Sequence, residues 1–152
     1  MHTEPLTLKD CKKAAYLHQN AFFKGWRERD FQEFLQNPLV HGLKIGKNDE
    51  LAGYILWREI GEEAEILTLV VAFCSQRQGI GSHLLTTLCE YLIKKNVIKL
   101  FLEVAEDNNP GKNFYIRNGF TFLNIRPQYY PRKENKLISA YTFLKELDKN
   151  EL

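Results

Sequence analysis

The stretch Gln76-Arg77-Gln78-Gly79-Ile80-Gly81 places two glycines beside a guanidinium and two side-chain amides, directly ahead of a run with helical spacing. A helix N-terminus leaves its first amide N–H groups unpaired and partially positive. Gly79 and Gly81 lack the Cβ atoms that would hold a diphosphate away from such groups, Arg77 supplies charge, and Gln76 or Gln78 supplies a donor. The spacing is not GxxxxGK[ST], and it is not GxGxxG, because Leu84 stands where the third glycine would fall. The same six residues also suit a plain strand-to-helix turn, and by themselves they do not separate the two uses. Downstream, Glu103 lies at the C-terminal end of the strand that follows the helix, where open parallel sheets bind ligands. A carboxylate there can take a proton, or it can be an ordinary solvated or ion-paired strand-end acid. Tyr115 then offers a phenol that stays protonated near neutral pH and can donate, or a core ring packed with Phe114 and Phe120.

The elements that must hold these residues follow from periodicity. Cys11, Ala14, Ala15, Leu17, His18 and Phe22 form an approximate helical stripe, and "ERDFQEFLQN" is a second helix closed by Asn37-Pro38. Three strand-like runs follow, "HGLKIGK", "ELAGYILWREI" and "AEILTLVVAF", separated by Asn48-Asp49 and by Gly61. After the glycine loop, Ile80, Leu84, Leu85, Leu88 and Leu92 share one helical face, and Asn96 ends that helix. "VIKLFLEVA" alternates as a strand, "GKNFYIRN" is a short helix ended by Gly119, and "FTFLNIR" and "LISAYTFL" are strands around the loop "PQYYPRKENK". The order is that of a mixed α/β (α+β) sheet, its parallel pair being the two strands on either side of the glycine loop.

Composition bounds the function. With 152 residues, 44% hydrophobic and 26% charged, the chain reads as one globular domain over 1–152. A formal charge of +2, with basic residues scattered, does not suggest a nucleic-acid partner. No apolar run reaches the ~18–20 residues of a membrane span, and the N-terminus has no apolar signal core, so a cytoplasmic protein is expected. Cys11, Cys74 and Cys89 show neither CxxC nor Cys/His metal spacing, and the expectation is no metal and buried thiols, with Cys74 beside the loop as the one open to exposure.

Taken together, "QRQGIG" between an apolar strand and an amphipathic helix, then "LEV", Asn108, "FYIRNGF" and "YYP", resembles the GNAT superfamily of acetyl-CoA-dependent N-acetyltransferases. The likeness is nearest to bacterial ribosomal-protein-alanine N-acetyltransferases; it is good over roughly residues 64–131 and loose over the N-terminal third. The resemblance implies the GNAT fold, a central, mostly antiparallel mixed sheet with one parallel pair splayed around acetyl-CoA and flanked by helices. It implies that Arg77, Gln78, Gly79, Ile80, Gly81 and Ser82 hold the diphosphate. Leu69, Val70 and Val71 would pair with the pantetheine arm through main-chain groups, and Asn108, unless it is only a helix cap, would also bind that arm. Glu103 matches the general base and Tyr115 the general acid. Tyr129 and Tyr130 fall on the loop that resembles the acceptor-binding wall. The acceptor so implied is a protein N-terminal α-amine, that of a ribosomal protein's alanine; a small amine, a lysine side chain, or non-catalytic acyl-CoA binding are the alternatives. Ala72–Ser75, Ser82 and Pro110–Asn113 depart from the family pattern, the proline being expected to shorten its helix.

Overall fold

The computed structural model describes residues 1–151. Its strands are β1 (Thr3–Pro5), β2 (Val40–Lys47), β3 (Glu50–Ile60), β4 (Glu63–Val71), β5 (Lys99–Ala105), β6 (Thr121–Pro131) and β7 (Leu137–Glu146). Its α-helices are α1 (Cys11–Ala21), α2 (Glu28–Gln36), α3 (Ile80–Lys94) and α4 (Asn109–Arg117). The strands form one seven-stranded sheet in the order β1-β2-β3-β4-β5-β7-β6. Only β4 and β5 run parallel; the other neighbouring pairs are antiparallel. The α/β mixed sheet read from the sequence is therefore present, with its parallel pair where the α3 crossover requires it.

Each helix covers a chosen face. In α3, Leu84, Leu85, Leu88 and Leu92 are buried with Ile55, Trp57, Leu100, Leu102 and Phe143, each such side chain contributing roughly 2 kcal/mol of burial. On the opposite face α1 and α2 bury Ala14, Ala15 and Phe31 against Tyr54, Leu56 and Val70. The Tyr54 hydroxyl donates to the Ala14 carbonyl at 2.8 Å, which satisfies the one polar atom of a fully buried ring and ties α1 to β3.

Several expectations need correction. β1 is too short to show a period and exists because Thr3–Pro5 pairs with Leu43–Ile45. β4 stops at Val71, and Phe73–Ser75 forms a single 3-10 turn in place of a continued strand. "PQYYP" is not loop: β6 runs through Pro131, because an edge strand with a bulge tolerates proline. Pro110 falls in the first turn of α4, where no amide donor is needed, so it does not shorten that helix. The thiols need no correction: Cys11 and Cys89 are buried, and Cys74, beside the loop, is exposed.

His18 shows how α1 holds the chain beyond it. Its Nδ1 accepts the Trp26 amide at 2.9 Å, which leaves the proton on Nε2, and that group donates to Thr68 Oγ1 at 3.1 Å. The ring stacks on Trp26 with centroids 4.6 Å apart. One buried imidazole thus fastens the α1–α2 connection to β4. Burial pushes its pKa from 6.5 down to about 4. A histidine depressed in this way binds its proton in the unfolded chain first, so stability falls as pH drops from about 6.5 towards about 4. In urea titrations the wild-type chain is expected to lose about 2 kcal/mol more than His18→Gln between pH 7 and about 4.5. Equal losses in both proteins would show that His18 is not the source.

Candidate active site

The site begins where two strands part. The β4–β5 ladder runs from Glu63 opposite Lys99 to Ile66 opposite Leu102, and there it ends. Beyond it β4 stays paired with β3 as far as Val71 opposite Gly53, and β5 stays paired with β7 as far as Ala105 opposite Ala140. The cause lies in β4. Register shifts between Leu56 and Trp57, whose partners are Thr68 and Ile66, so Leu67 is an extra, bulged residue. Before the bulge Ile66 packs with α3; after it Val70 packs with α1 and α2, while Leu69 and Val71 pack towards α3. The bulge bends β4 away from β5 and leaves one edge of its last residues without a strand partner in the sheet.

The glycine loop closes the wide end of this opening. Gly79 is the N-cap of α3 with φ +79°, a conformation that costs other residues strain. Arg77 also takes a positive φ, +63°, and turns the chain sharply. The first intrahelical bond runs from the His83 amide to the Gly79 carbonyl, so the amides of Ile80, Gly81 and Ser82 have no acceptor within the helix. Gly81 has a second reason to lack a side chain: a Cβ there would lie 3.3 Å from the Phe114 ring of α4. Gln76 donates to the Val71 carbonyl at 3.4 Å, and Gln78 accepts from Lys47 at 3.1 Å. The two glutamines therefore brace the loop, and Lys47 is a basic neighbour of it that the sequence reading did not find.

Glu103 sits on the other lip. Its Oε1 forms an ion pair with Arg126 Nη2 at 3.1 Å, whereas Oε2 is buried without a hydrogen-bond partner. A buried carboxylate oxygen with nothing donating to it is costly unless something else binds there. Glu103 borders a groove of about 670 Å³ that Phe101, Glu65, Leu123, Ile125 and Arg126 also line. Tyr115 lies on α4, packed edge-on against Phe114 and Phe120, and burial raises its pKa well above the ordinary phenol range. Tyr115 is thus a ring packed with Phe114 and Phe120, and its phenol stays protonated. Asn108 caps α4, its Oδ1 accepting the Gly111 amide at 3.0 Å. The cap leaves its side-chain amide group as the atom able to donate elsewhere.

The β6–β7 arm brings the remaining residues in. Pairing jumps from Arg126 opposite Ala140 to Tyr130 opposite Ile138, and Gln128 adopts φ +51°. This bulge folds Tyr129 back over Arg126, whose guanidinium carbon lies 4.4 Å from the ring centre. Tyr129 meets Tyr130 edge-on at 5.1 Å, and Arg132 lies 6.0 Å from the Tyr130 ring. Arg132 then grips Asp107 with two bonds of 2.8 Å. The result is a chain of contacts, Glu103–Arg126–Tyr129–Tyr130–Arg132–Asp107, that starts on β5 and ends just beyond it. Burial, and then the nearby Glu103, push the Tyr130 phenol up to about 12, while Arg132 holds the Asp107 carboxyl below the usual range. One residue beyond the last β5–β7 pair, Glu106 takes both backbone groups of Ser139, its Oε1 accepting the amide at 3.0 Å and its own amide donating to the carbonyl at 2.9 Å. Arg126, Arg132, Glu106 and Asp107 were not foreseen from the sequence; the basic letters of "RPQYYPRKENK" were the available signal, but their partners lie on another element.

Trp26 and Phe31 belong to the α1–α2 side, Phe31 fully buried and Trp26 stacked on His18. The structure therefore gathers the loop, the free β4 edge, Glu103, Asn108, Tyr115, Tyr129 and Tyr130 around the parting of β4 and β5. Among the described residues no helix is long and apolar enough to cross a membrane.

Known proteins are similar to this chain in sequence and fold. The chain is 29% identical over 131 residues to the [ribosomal protein bS18]-alanine N-acetyltransferase of Escherichia coli (strain K12), covering 86% of this chain and 88% of that protein. It is 31% identical over 141 residues to the enzyme of the same name from Haemophilus ducreyi, covering 90% and 97%. The crystal structure of the ribosomal-protein-S18-alanine N-acetyltransferase from Escherichia coli superposes with a TM-score of 0.87 at 27% identity, over 97% of this chain and 94% of that one. Residues 11–120 match the Acetyltransferase (GNAT) family, and so this chain, which carries that fold, belongs to the GNAT acetyltransferases and is an acyltransferase.

Proposed function

We propose that the chain, as one domain over residues 1–152, transfers the acetyl group of acetyl-CoA to the α-amine at a protein N-terminus, the N-terminal alanine of a ribosomal protein. The observation that carries the catalytic part is the buried, unpartnered Oε2 of Glu103 at the parting of β4 and β5. The choice of acceptor rests on the two enzymes of 29% and 31% identity, both named for that reaction. The donor fits the residues present. Unpaired amides at the start of α3, with Arg77, suit a diphosphate. The free edge of β4 suits a pantetheine arm that adds to it as a strand would, through the main chain of Leu69, Val70 and Val71. Acetyl-CoA brings the thioester whose acyl group is transferred.

In this reading Glu103 takes the proton that the acceptor must lose. A peptide α-amine has a pKa near ~8, so near neutral pH much of it is the unreactive ammonium ion. The free oxygen of Glu103 both attracts that ammonium and accepts its proton, directly or through water. The amine nitrogen then bonds to the thioester carbonyl carbon, and the carbon–sulfur bond breaks as the carbonyl re-forms. Tyr115, kept protonated by burial, supplies the proton for the departing thiolate. Tyr129 and Tyr130, on the arm above Glu103, form a wall for the acceptor backbone. Asn108 keeps a donor for the pantetheine arm while its oxygen caps α4.

Two measurements test the proposal. A peptide panel varied at residue one, with N-terminally blocked, lysine-containing controls, is incubated with acetyl-CoA and read by mass. Label is expected on free N-termini, with alanine leading; equal label on blocked peptides would overturn the N-terminal assignment. In steady-state kinetics, Glu103→Gln is expected to lower kcat by roughly 10²–10³-fold and Tyr115→Phe by roughly 10-fold or more. The residual Glu103→Gln rate should climb with pH towards ~8 as free amine accumulates. Acetyl-CoA affinity should be unchanged in both variants, and its loss in Glu103→Gln would make Glu103 a structural residue.

A further inference from the structure

We propose that Arg126 is a positioning residue for Glu103, holding one carboxylate oxygen so that the other faces the acceptor. The proposal rests on Glu103 being the proton acceptor. Arg126 Nη2 meets Oε1 at 3.1 Å, and Oε2 is buried with no partner. A strand-end glutamate without a partner has three side-chain torsions to explore and two equivalent oxygens to present. With Oε1 held, only the other oxygen is offered, and in a single orientation.

Arg126 is itself held. The guanidinium carbon lies over the ring of Tyr129, 4.4 Å from its centre, a cation–π contact to a flat, delocalised cation that a lysine ammonium does not match. Tyr129 takes that place because β6 loses register with β7 between Arg126 and Tyr130, and Gln128 turns the chain at φ +51°. The bulge is anchored at its far end by the paired bonds from Arg132 to Asp107. Glu103 and Asp107 flank the end of β5, so the arm grips that segment on both sides of the site. The Arg126 side chain is half exposed and Glu103 is about one quarter exposed, and such a pair adds little to folding. Its consequence is orientation of the base, and a misplacement of about 1 Å at a reacting group can lower a rate by about 100-fold.

The test uses the full-length protein with acetyl-CoA and whichever amine it acetylates best. Arg126→Ala is expected to lower kcat by about 30-fold or more, with the acetyl-CoA dissociation constant unchanged and the acceptor KM moved less than about threefold. Arg126→Lys, which keeps the charge but not the fork or the flat cation, should fall between wild type and Arg126→Ala. Added guanidinium ion should restore about fivefold or more of the Arg126→Ala rate. In the Glu103→Gln background, Arg126→Ala should have almost no further effect, since it acts through that carboxylate. An unchanged kcat in Arg126→Ala, or an equal fall with and without Glu103, would overturn the proposal. Wild-type turnover in Glu103→Gln alone would instead sink the assignment of Glu103 as base.

Discussion

The geometry of the candidate site depends on the β4–β5 ladder ending after Ile66 and Leu102 while both strands continue. Parallel strands normally pair along their length, and each buried backbone group left unpaired costs roughly 1–3 kcal/mol. The bulge at Leu67 bends β4 off its neighbour, and neither strand is lost, because β3 and β7 keep the outer edges paired. What remains is a wedge with hydrogen-bonding backbone on one side and Glu103 on the other. A ligand with amides along its length is the natural completion of such an edge.

The two helical layers divide the remaining work. On the α3–α4 face, the helix that makes the crossover also places its unpaired N-terminal amides at the wide end of the wedge, and a Cβ at Gly81 would press on the Phe114 ring at 3.3 Å. On the α1–α2 face, His18 links the helix connection to Thr68, one residue after the bulge, so the fold of that connection and the bend in β4 share one buried ring. Glu103 and Tyr115 approach the end of β5 from these opposite layers: Glu103 on the strand face away from Leu102 and Val104, Tyr115 from the helix packed on the face they share. Tyr130 lies near both: burial and then Glu103 raise its pKa, and burial and then Tyr130 raise that of Tyr115.

Much of this was legible from local pattern. The α3 stripe of Ile80, Leu84, Leu85, Leu88 and Leu92 is buried as its spacing demands, and Gly119 ends α4 with φ +92°. Asn48 and Asp49 turn β2 into β3 with positive φ, the conformation for which those residue types are suited. The reading of β6 stopped early because prolines at 127 and 131 look like breakers, and nothing local shows that the strand is an edge with a bulge. Phe73, which is 90% exposed, was placed in an apolar strand on composition alone, whereas the chain has already turned there.

From its letters alone the chain determined its helices α1 to α4, its strands other than β1 and the far half of β6, the parallel crossover, and a glycine-dependent turn into α3, because each depends on torsional preference and periodicity over a few residues. Tertiary structure alone decided where β4 and β5 separate, that Glu103 answers to Arg126, and that His18 is a buried, singly tautomeric tether rather than packing filler. Those outcomes depend on register between strands and on side chains far apart in sequence. A bulge of one residue changes both without altering any local pattern that could announce it.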